Sequence, residues 1–374
     1  MTPDTLSGLR HDGPIFIRFV EFERIVSAVV LITVFLVLII VEILFQLLVL
    51  KFALPIFEHR PPIGAELFPP QPAAESVTIV TSDGMSLAGN LLATPCSSPQ
   101  GVILFCHELD SNRWSAAFYC EGLLKAGFHV LTFDFRNQGD SQSFPGYHPL
   151  HWPSVLEVED VHAAIAFINS RSDLNRLPLG VFGVSRGASI ALAASAECDC
   201  VRRVVSDGAY CCDEMLLLFT NRWGRLYFPE WFLRLLPKWH VQMSLWLIER
   251  VSEFRRGFKY ANVGRAMSKF RRKRLLMISG ERDSYVLPEV TRKMHARTRQ
   301  DDSTIWIVPD AKHNMSRQEA PLEYDRRLVE FFSNCEQPGG ELALACSANG
   351  SSDAAKSGAR AVLVRGRSSS FSSD

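Results

Sequence analysis

The chain has 374 residues, enough for one large domain with appendages or for two modest domains. Its 40 basic and 40 acidic side chains cancel, which removes the global field that nucleic acid or a strongly acidic substrate would call for. Nine cysteines lie in a chain too large to need disulfide staples, and neither Cys198-x-Cys200 nor Cys211-Cys212 has zinc-site spacing, so buried, unpaired thiols and no metal are expected.

Much of the 47% hydrophobic content is one block, Ile25 to Leu50, interrupted only by Glu42, Gln46 and small polar residues. A helix through it reaches about 39 Å, against a hydrocarbon core of roughly 30 Å, so it can span a bilayer with tilt. One acidic residue costs about 2.5–3.5 kcal/mol on insertion, which the surrounding Leu, Ile, Val and Phe outweigh. Glu42 is expected to protonate, to snorkel or to contact another helix. A buried core helix is the competing reading, but one this long is rarely apolar on all sides. The run is too long for a cleaved signal, and no A-x-A site follows it. A single-pass N-terminal membrane anchor, with the bilayer as partner, is therefore expected at 25–50, after a flank at 1–24. Arg10, Arg18 and Arg24 against Lys51 and Arg60 favour an inside N-terminus only slightly, leaving the side of the membrane open.

Six prolines (Pro55, Pro61, Pro62, Pro69, Pro70, Pro72) make 51–75 a semi-rigid linker. Beyond it, Val77–Val80 and Ser86–Leu91 flank the turn signal Ser82-Asp83-Gly84 and predict a hairpin. Short apolar strands follow at Val102–Cys106, Val130–Phe133, Leu179–Phe182, Arg203–Ser206, Leu275–Ser279 and Thr304–Val308. Three- and four-residue apolar spacing predicts helices at Ala116–Ala126, Leu156–Asn169, Arg186–Ala196, Pro288–Ala296 and Pro321–Ser333. Such alternation predicts an α/β fold, a mostly parallel central sheet with helices on both faces, over 76–335. One interval, 210–273, lacks a strand signal, and the Gly-, Ser- and Ala-rich stretch 336–374 reads as a disordered tail.

The pentapeptide Gly183-Val184-Ser185-Arg186-Gly187 lies directly between a predicted strand and a predicted helix, the setting a nucleophile turn requires. Glycines let strand and helix approach closely there, and the helix N-terminus offers positive dipole to developing negative charge. A plain glycine-rich turn with a capping serine is the bland alternative. A serine hydroxyl needs a base. His313 follows the last strand, whereas His295 falls inside a helix and His240 inside 210–273. The orienting carboxylate belongs just past the preceding strand, where Asp283 stands, with Glu281 and Asp207 as alternatives. Acyl transfer also needs oxyanion donors, here the Arg186 N–H and an N–H from the loop His107 to Asn112. A zinc-protease H-E-x-x-H starting at His107 fails, because its fifth position is Ser111.

Together with Asp134-x-Arg136-x-x-Gly139-x-Ser141, these motifs resemble the α/β-hydrolase superfamily, in its branch of esterases, lipases, thioesterases and S33-type peptidases, over roughly 76–335. The resemblance implies the α/β-hydrolase fold, a Ser185–His313–Asp283 triad and no cofactor. It also implies Leu109 as the second oxyanion donor and a helical lid at 210–273. Glu108 stands where the family has glycine. His107-Glu108 is similar to the dienelactone hydrolases, whose nucleophile is cysteine, so that chemistry does not carry over. Glu108 is expected either to tune the site or to form a salt bridge with Arg113 or Arg186.

The lid interval carries Leu216, Leu217, Leu218, Phe219, Trp223, Trp231, Trp239 and Trp246, and its end, from Phe254 to Arg274, is basic. An apolar cap favours an acyl chain, and a basic aromatic surface favours anionic headgroups. The expected function is hydrolysis of a hydrophobic acyl ester, thioester or lipid beside a membrane, without nucleic acid. An S33-type serine peptidase and a catalytically silent, membrane-bound interaction module are the alternatives. Oligomeric state is not legible.

Overall fold

A computed structural model describes residues 14–59, 66–227, 229–231, 237–270, 273–298 and 303–333. Arg10, the six residues 60–65 and the tail from 334 onward lie outside the described residues, as do Phe228, 232–236 and the cysteines at 335 and 346. The chain divides into two units, residues 1–60 with 230–255, and residues 61–229 with 256–374.

In the larger unit, the short apolar runs become eight strands: β1 Glu75–Val80, β2 Ser86–Leu92, β3 Gly101–Cys106, β4 Phe128–Phe133, β5 Leu179–Val184, β6 Arg203–Asp207, β7 Arg274–Gly280 and β8 Ser303–Val308. They form one sheet in the order β1-β2-β4-β3-β5-β6-β7-β8. The β1–β2 hairpin joins β4 antiparallel, and every other pairing is parallel. Parallel strands need crossovers, and the helices that make them cover both faces. Ile103, Phe105, Phe182, Val205 and Ile278 pack on one face with Tyr119, Leu123, Tyr324, Leu328 and Phe332. Their alternating neighbours Val102, Leu104, Val181 and Val204 are equally buried, so the other face is covered too. There, helix Arg186–Glu197 packs against helices Val155–Ser170 and Val263–Lys269.

The strands match expectation to within two residues. The single helix expected over Ala116–Ala126 is two, Ser115–Tyr119 and Glu121–Lys125, broken at Cys120. The interval 210–273 is helical, with Cys212–Tyr227, Lys238–Arg256 and Val263–Lys269. It is not one piece: 230–255 groups with the N-terminal residues, so the expected lid boundaries do not mark one structural unit. Its end is not a uniformly basic surface either, because Lys273 is buried and donates to the carbonyl of Val201 at 3.0 Å.

The smaller unit is built on a helix from Pro14 to Phe57, 44 residues, or about 66 Å long. It overruns the expected end of the apolar run and takes in Pro55, so the linker is shorter than its proline content implied. A proline near a helix end sacrifices one hydrogen bond rather than breaking the helix, and here it precedes the last turn's Phe57. From Phe22 the helix is long and apolar enough to cross a membrane, and its most apolar stretch is uncovered by other protein.

The cysteine expectation needs correction. Cys198 and Cys200 are joined as a disulfide, and Cys96 is exposed. Cys106, Cys120 and Cys211 are free and buried as expected.

Candidate active site

Ser185 occupies the single residue between β5 and helix Arg186–Glu197, at φ 53° and ψ −119°. A non-glycine residue there is strained, and the surroundings must hold it. Its N–H donates to the carbonyl of Asp207 on β6 at 2.6 Å. A Cβ on Gly183 would lie 2.6 Å from Ala188 Cα, and one on Gly187 would run into the carbonyl oxygens of Cys106 and His107. The two motif glycines therefore let the helix sit on its own strand and on the end of β3.

His313 lies on the loop after β8, and Asp283 just past β7. The structure brings both to Ser185: Ser185 Oγ lies 2.8 Å from His313 Nε2, and His313 Nδ1 lies 2.7 Å from Asp283 Oδ2. A carboxylate only accepts, so Nδ1 carries the proton and Nε2 is left to accept from the serine. The other Asp283 oxygen takes the N–H groups of Tyr285 at 2.9 Å and Val286 at 2.8 Å, fixing the carboxylate. The Tyr285 ring stands edge-on to the imidazole with centroids 5.2 Å apart.

The alternative carboxylates have other tasks. Glu281 accepts from the N–H of Asp310, and Asp207 accepts from Ser316 Oγ at 2.9 Å and Tyr324 Oη at 2.8 Å. Burial pushes the Asp207 carboxyl up to about 6. His240 and His295 are elsewhere, paired with Glu42 and Ser303.

The loop after β3 is pinned from beneath. Phe135 N–H donates to His107 Nε2, leaving His107 Nδ1–H to donate to the Glu108 carbonyl at 2.7 Å. Burial holds the His107 imidazole below its usual range, hence neutral. Glu108 forms neither expected salt bridge. Its carboxyl accepts from Ser115 Oγ at 3.2 Å, and burial pushes it up to about 7. Arg113 instead pairs with Asp134 and Asp140, and Arg186 with Glu157. Among the described residues, the Leu109 N–H meets no acceptor within hydrogen-bond reach. Arg186 opens its helix, so its N–H has no intrahelical acceptor.

Asp134-x-Arg136-x-x-Gly139-x-Ser141 is a staple behind this loop. Asp134 accepts from the N–H groups of Arg113 at 2.7 Å and Asp140 at 2.9 Å, while Arg136 is buried between Asp160 and Asp83. Ser141 Oγ donates to the Asp134 carbonyl and accepts from the Ala88 N–H, tying the turn to β2.

Sequence reasoning overlooked Glu157, Tyr147 and Tyr324. Glu157 closes a capping box with Ser154 at the start of helix Val155–Ser170, and the same carboxylate receives the Arg186 guanidinium. The Ser154-x-x-Glu157 spacing was the available signal. Nothing local marked Tyr147, whose hydroxyl meets Ser154 Oγ at 2.7 Å, or Tyr324.

Comparison with known proteins gives the family and the fold. The sequence profile of the Alpha/beta hydrolase family matches residues 103–327. YqkD of Bacillus subtilis, itself uncharacterized, is 24% identical over 259 residues, 68% of this chain and 78% of its own length. Thiohydrolase aneE of Aspergillus aculeatus is 27% identical over 135 residues, 35% of this chain and 40% of that one. Among solved structures, the Pyrococcus furiosus esterase Pf2001 superposes with a TM-score of 0.52 at 25% identity, covering 73% of this chain and 96% of the esterase. DcsB in complex with its substrate analogue reaches a TM-score of 0.52 at 15% identity, over 70% of this chain and 99% of that one, a likeness of fold alone. The matched stretch runs from β3 into the last helix and includes Ser185, Asp283 and His313; this chain belongs to the Alpha/beta hydrolase family and has its fold.

Proposed function

We propose that this chain is a membrane-anchored serine hydrolase that cleaves carboxylic esters or thioesters of hydrophobic acyl groups through Ser185, His313 and Asp283. Residues 25–50 serve as the anchor and 76–335 as the hydrolase domain, whose chain is interrupted by the helical interval 210–273, with 230–255 of that interval grouping with the N-terminal residues. The observation that carries the reading is the relay of 2.8 Å from Ser185 Oγ to His313 Nε2 and 2.7 Å from His313 Nδ1 to Asp283.

His313 Nε2 takes the hydroxyl proton as Ser185 Oγ attacks the acyl carbonyl. Negative charge moves onto the carbonyl oxygen, where the N–H groups of Arg186 and Leu109 receive it. Asp283 keeps the imidazole in the Nδ1–H tautomer and stabilises the imidazolium. The tetrahedral intermediate collapses, the acyl–oxygen or acyl–sulfur bond breaks, and His313 returns its proton to the departing alcohol or thiol. Water, deprotonated by the same imidazole, then frees the acid and regenerates the serine.

Ester and thioester chemistry share this route, and the names of relatives lean to both, an esterase in Pyrococcus furiosus and a thiohydrolase in Aspergillus aculeatus. A panel of p-nitrophenyl esters and acyl thioesters of increasing chain length, assayed on wild type and Ser185→Ala, tests the reading. Turnover that rises with chain length and vanishes in the variant is expected. Undiminished turnover in Ser185→Ala, or failure of a fluorophosphonate to label Ser185 in folded protein, would overturn it.

A further inference from the structure

The smaller unit pairs its long helix with a second one. On the N-terminal helix, Glu42, Phe45, Gln46, Val49, Leu50, Ala53, Leu54, Phe57 and Glu58 are partly or fully covered, while the residues between them are exposed. These positions recur at three and four residues and make a single stripe. His240 Nε2 reaches Glu42 Oε2 at 3.0 Å with its ring 5.2 Å from that of Phe45, and Ser252 Oγ donates to Glu58 Oε1 at 2.8 Å. Both contacts advance in the same direction, so helix Lys238–Arg256 runs parallel to residues 42–58. Its inward face is His240, Ser244, Ile248 and Ser252, each one turn apart, the last three buried.

The opposite face exposes two indoles beside the Arg250 that pairs with Glu249 and Glu253. Trp239 is 62% exposed, Trp246 58% and Phe254 90%. At 100° per residue Trp239 and Trp246 fall within about 20° of each other and point away from the centre of the His240–Ser252 face, with Phe254 to one side. Twenty residues from Ile25 carry the long helix through a hydrocarbon core of about 30 Å, to about Leu44. The Glu42–His240 contact therefore falls at the rim of that core, with Trp239 beside it and Trp246 about 9 Å further out, both in the interfacial layer where indoles partition.

We propose that helix Lys238–Arg256 is a second membrane-contacting element, and that Trp239 and Trp246 seat in the interfacial layer of the bilayer crossed by the N-terminal helix. The inference rests on the anchor reading. The occupant is lipid because a surface packed laterally on a spanning helix at that depth has lipid as its neighbour. The contact also gives Glu42 a polar partner at the point where the helix leaves hydrocarbon.

The test uses the full chain in phosphatidylcholine vesicles, with part of the lipid brominated near the head-group end of its acyl chains. Brominated lipid is expected to quench wild-type tryptophan emission, and Trp239→Phe/Trp246→Phe is expected to lose roughly half or more of the quenched component. Both substitutions lie on an exposed face, and equal fluorophosphonate labelling of the two proteins verifies the fold. Equal quenching in wild type and variant overturns the proposal, including the case in which a second copy of the chain covers the face and cross-links through it. Alkaline carbonate extraction reads the anchor separately. A chain that stays in the membrane with unchanged quenching overturns this inference alone, and a chain that is released overturns both.

Discussion

The main chains of Ser185 and Asp207 are joined directly, the serine N–H donating to the aspartate carbonyl at 2.6 Å. The same aspartate holds Ser316 and Tyr324 through its carboxylate. Ser316 begins the short helix three residues after His313, so one residue ties the nucleophile's turn to the loop that carries its base. Asp207 bonds Ser316, Tyr324 and the Ser185 main chain rather than an imidazole nitrogen, and acts by position. Asp207→Asn keeps the shape but loses the charge that both hydroxyls bond. Hydrogen bonds to charged groups contribute about 1.5–3 kcal/mol, so a fall in kcat of roughly tenfold or more is expected, with KM changed little. Steady-state kinetics on the preferred ester measure the split. An unchanged kcat, or a loss confined to KM, would rule the positioning role out.

Glu108 gives a pH prediction. Burial raises its carboxyl from 4.5 to about 7, so the folded protein binds this proton more tightly than the unfolded chain. For an acid raised in this way, stability is greatest below the unfolded value, declines as pH climbs toward 7, and levels off above it. Glu108→Gln removes the ionisation and keeps the bond from Ser115. The variant is expected to be more stable than wild type at pH 8, by an amount on the order of 3 kcal/mol, and to match it near pH 4.5. Urea denaturation at the two pH values reads this. Above pH 7 the variant also lacks a negative charge beside the Leu109 N–H, so its kcat/KM is expected to exceed that of wild type there and to converge with it at pH 5.5.

The fold and the candidate triad were legible in the sequence because each depends on local pattern or chain order. Leu179–Val184 is apolar throughout because both faces of a central parallel strand are buried, and Gly183 and Gly187 announce the close approaches around Ser185. Asp283 and His313 are found by their places after β7 and β8. Partners remote in sequence left no such mark. Arg186 looked available to Glu108, but the Glu157 that occupies it stands 29 residues earlier on another helix. The alignment of His240 with Glu42 spans 198 residues, and the small inward face of Ser244 and Ser252 is hidden among more conspicuous tryptophans. Cys198 and Cys200 pair because the chain turns between a helix end and β6, a geometry that two-residue spacing alone does not disclose.

Arg186 and Glu157 form an ion pair that is almost fully buried, with side-chain exposures of 1% and 0%. Removing one charge strands the other, at a cost of about 3–5 kcal/mol, whereas replacing both with apolar groups of similar volume is often tolerated. Glu157→Gln is therefore expected to lower the urea midpoint strongly. Arg186→Met/Glu157→Leu is expected to recover most of the loss. The backbone N–H of residue 186 survives every one of these changes, so whatever protein remains folded should still take up a fluorophosphonate at Ser185. A double variant no more stable than Glu157→Gln would mean that Tyr147 and the Trp152 carbonyl, which also receive this guanidinium, matter more than the charge pair.

Gly187 separates close approach from conformational freedom. Its φ lies outside the left-handed region, so Ala is acceptable to its own backbone, but the added methyl meets the carbonyl oxygens of Cys106 and His107. Relief requires the end of β3 to move away from the helix, taking the Glu108–Leu109 segment with it. Overpacking of this kind costs about 1–3 kcal/mol, and losing one oxyanion donor costs roughly 100- to 1000-fold in rate. Gly187→Ala is thus expected to remain folded while kcat/KM falls by about two orders of magnitude. Gly84 is the converse case: φ is +81° in the β1–β2 turn, and an added methyl would find no atom within 4 Å. Gly84→Ala should lose about 1–2 kcal/mol to backbone strain and keep its turnover, because that turn bears on the β3 loop only indirectly, through Asp83 on Arg136. Melting curves and ester kinetics on the two variants make the comparison, and equal kinetic losses in both would show that the β3 end does not set the rate.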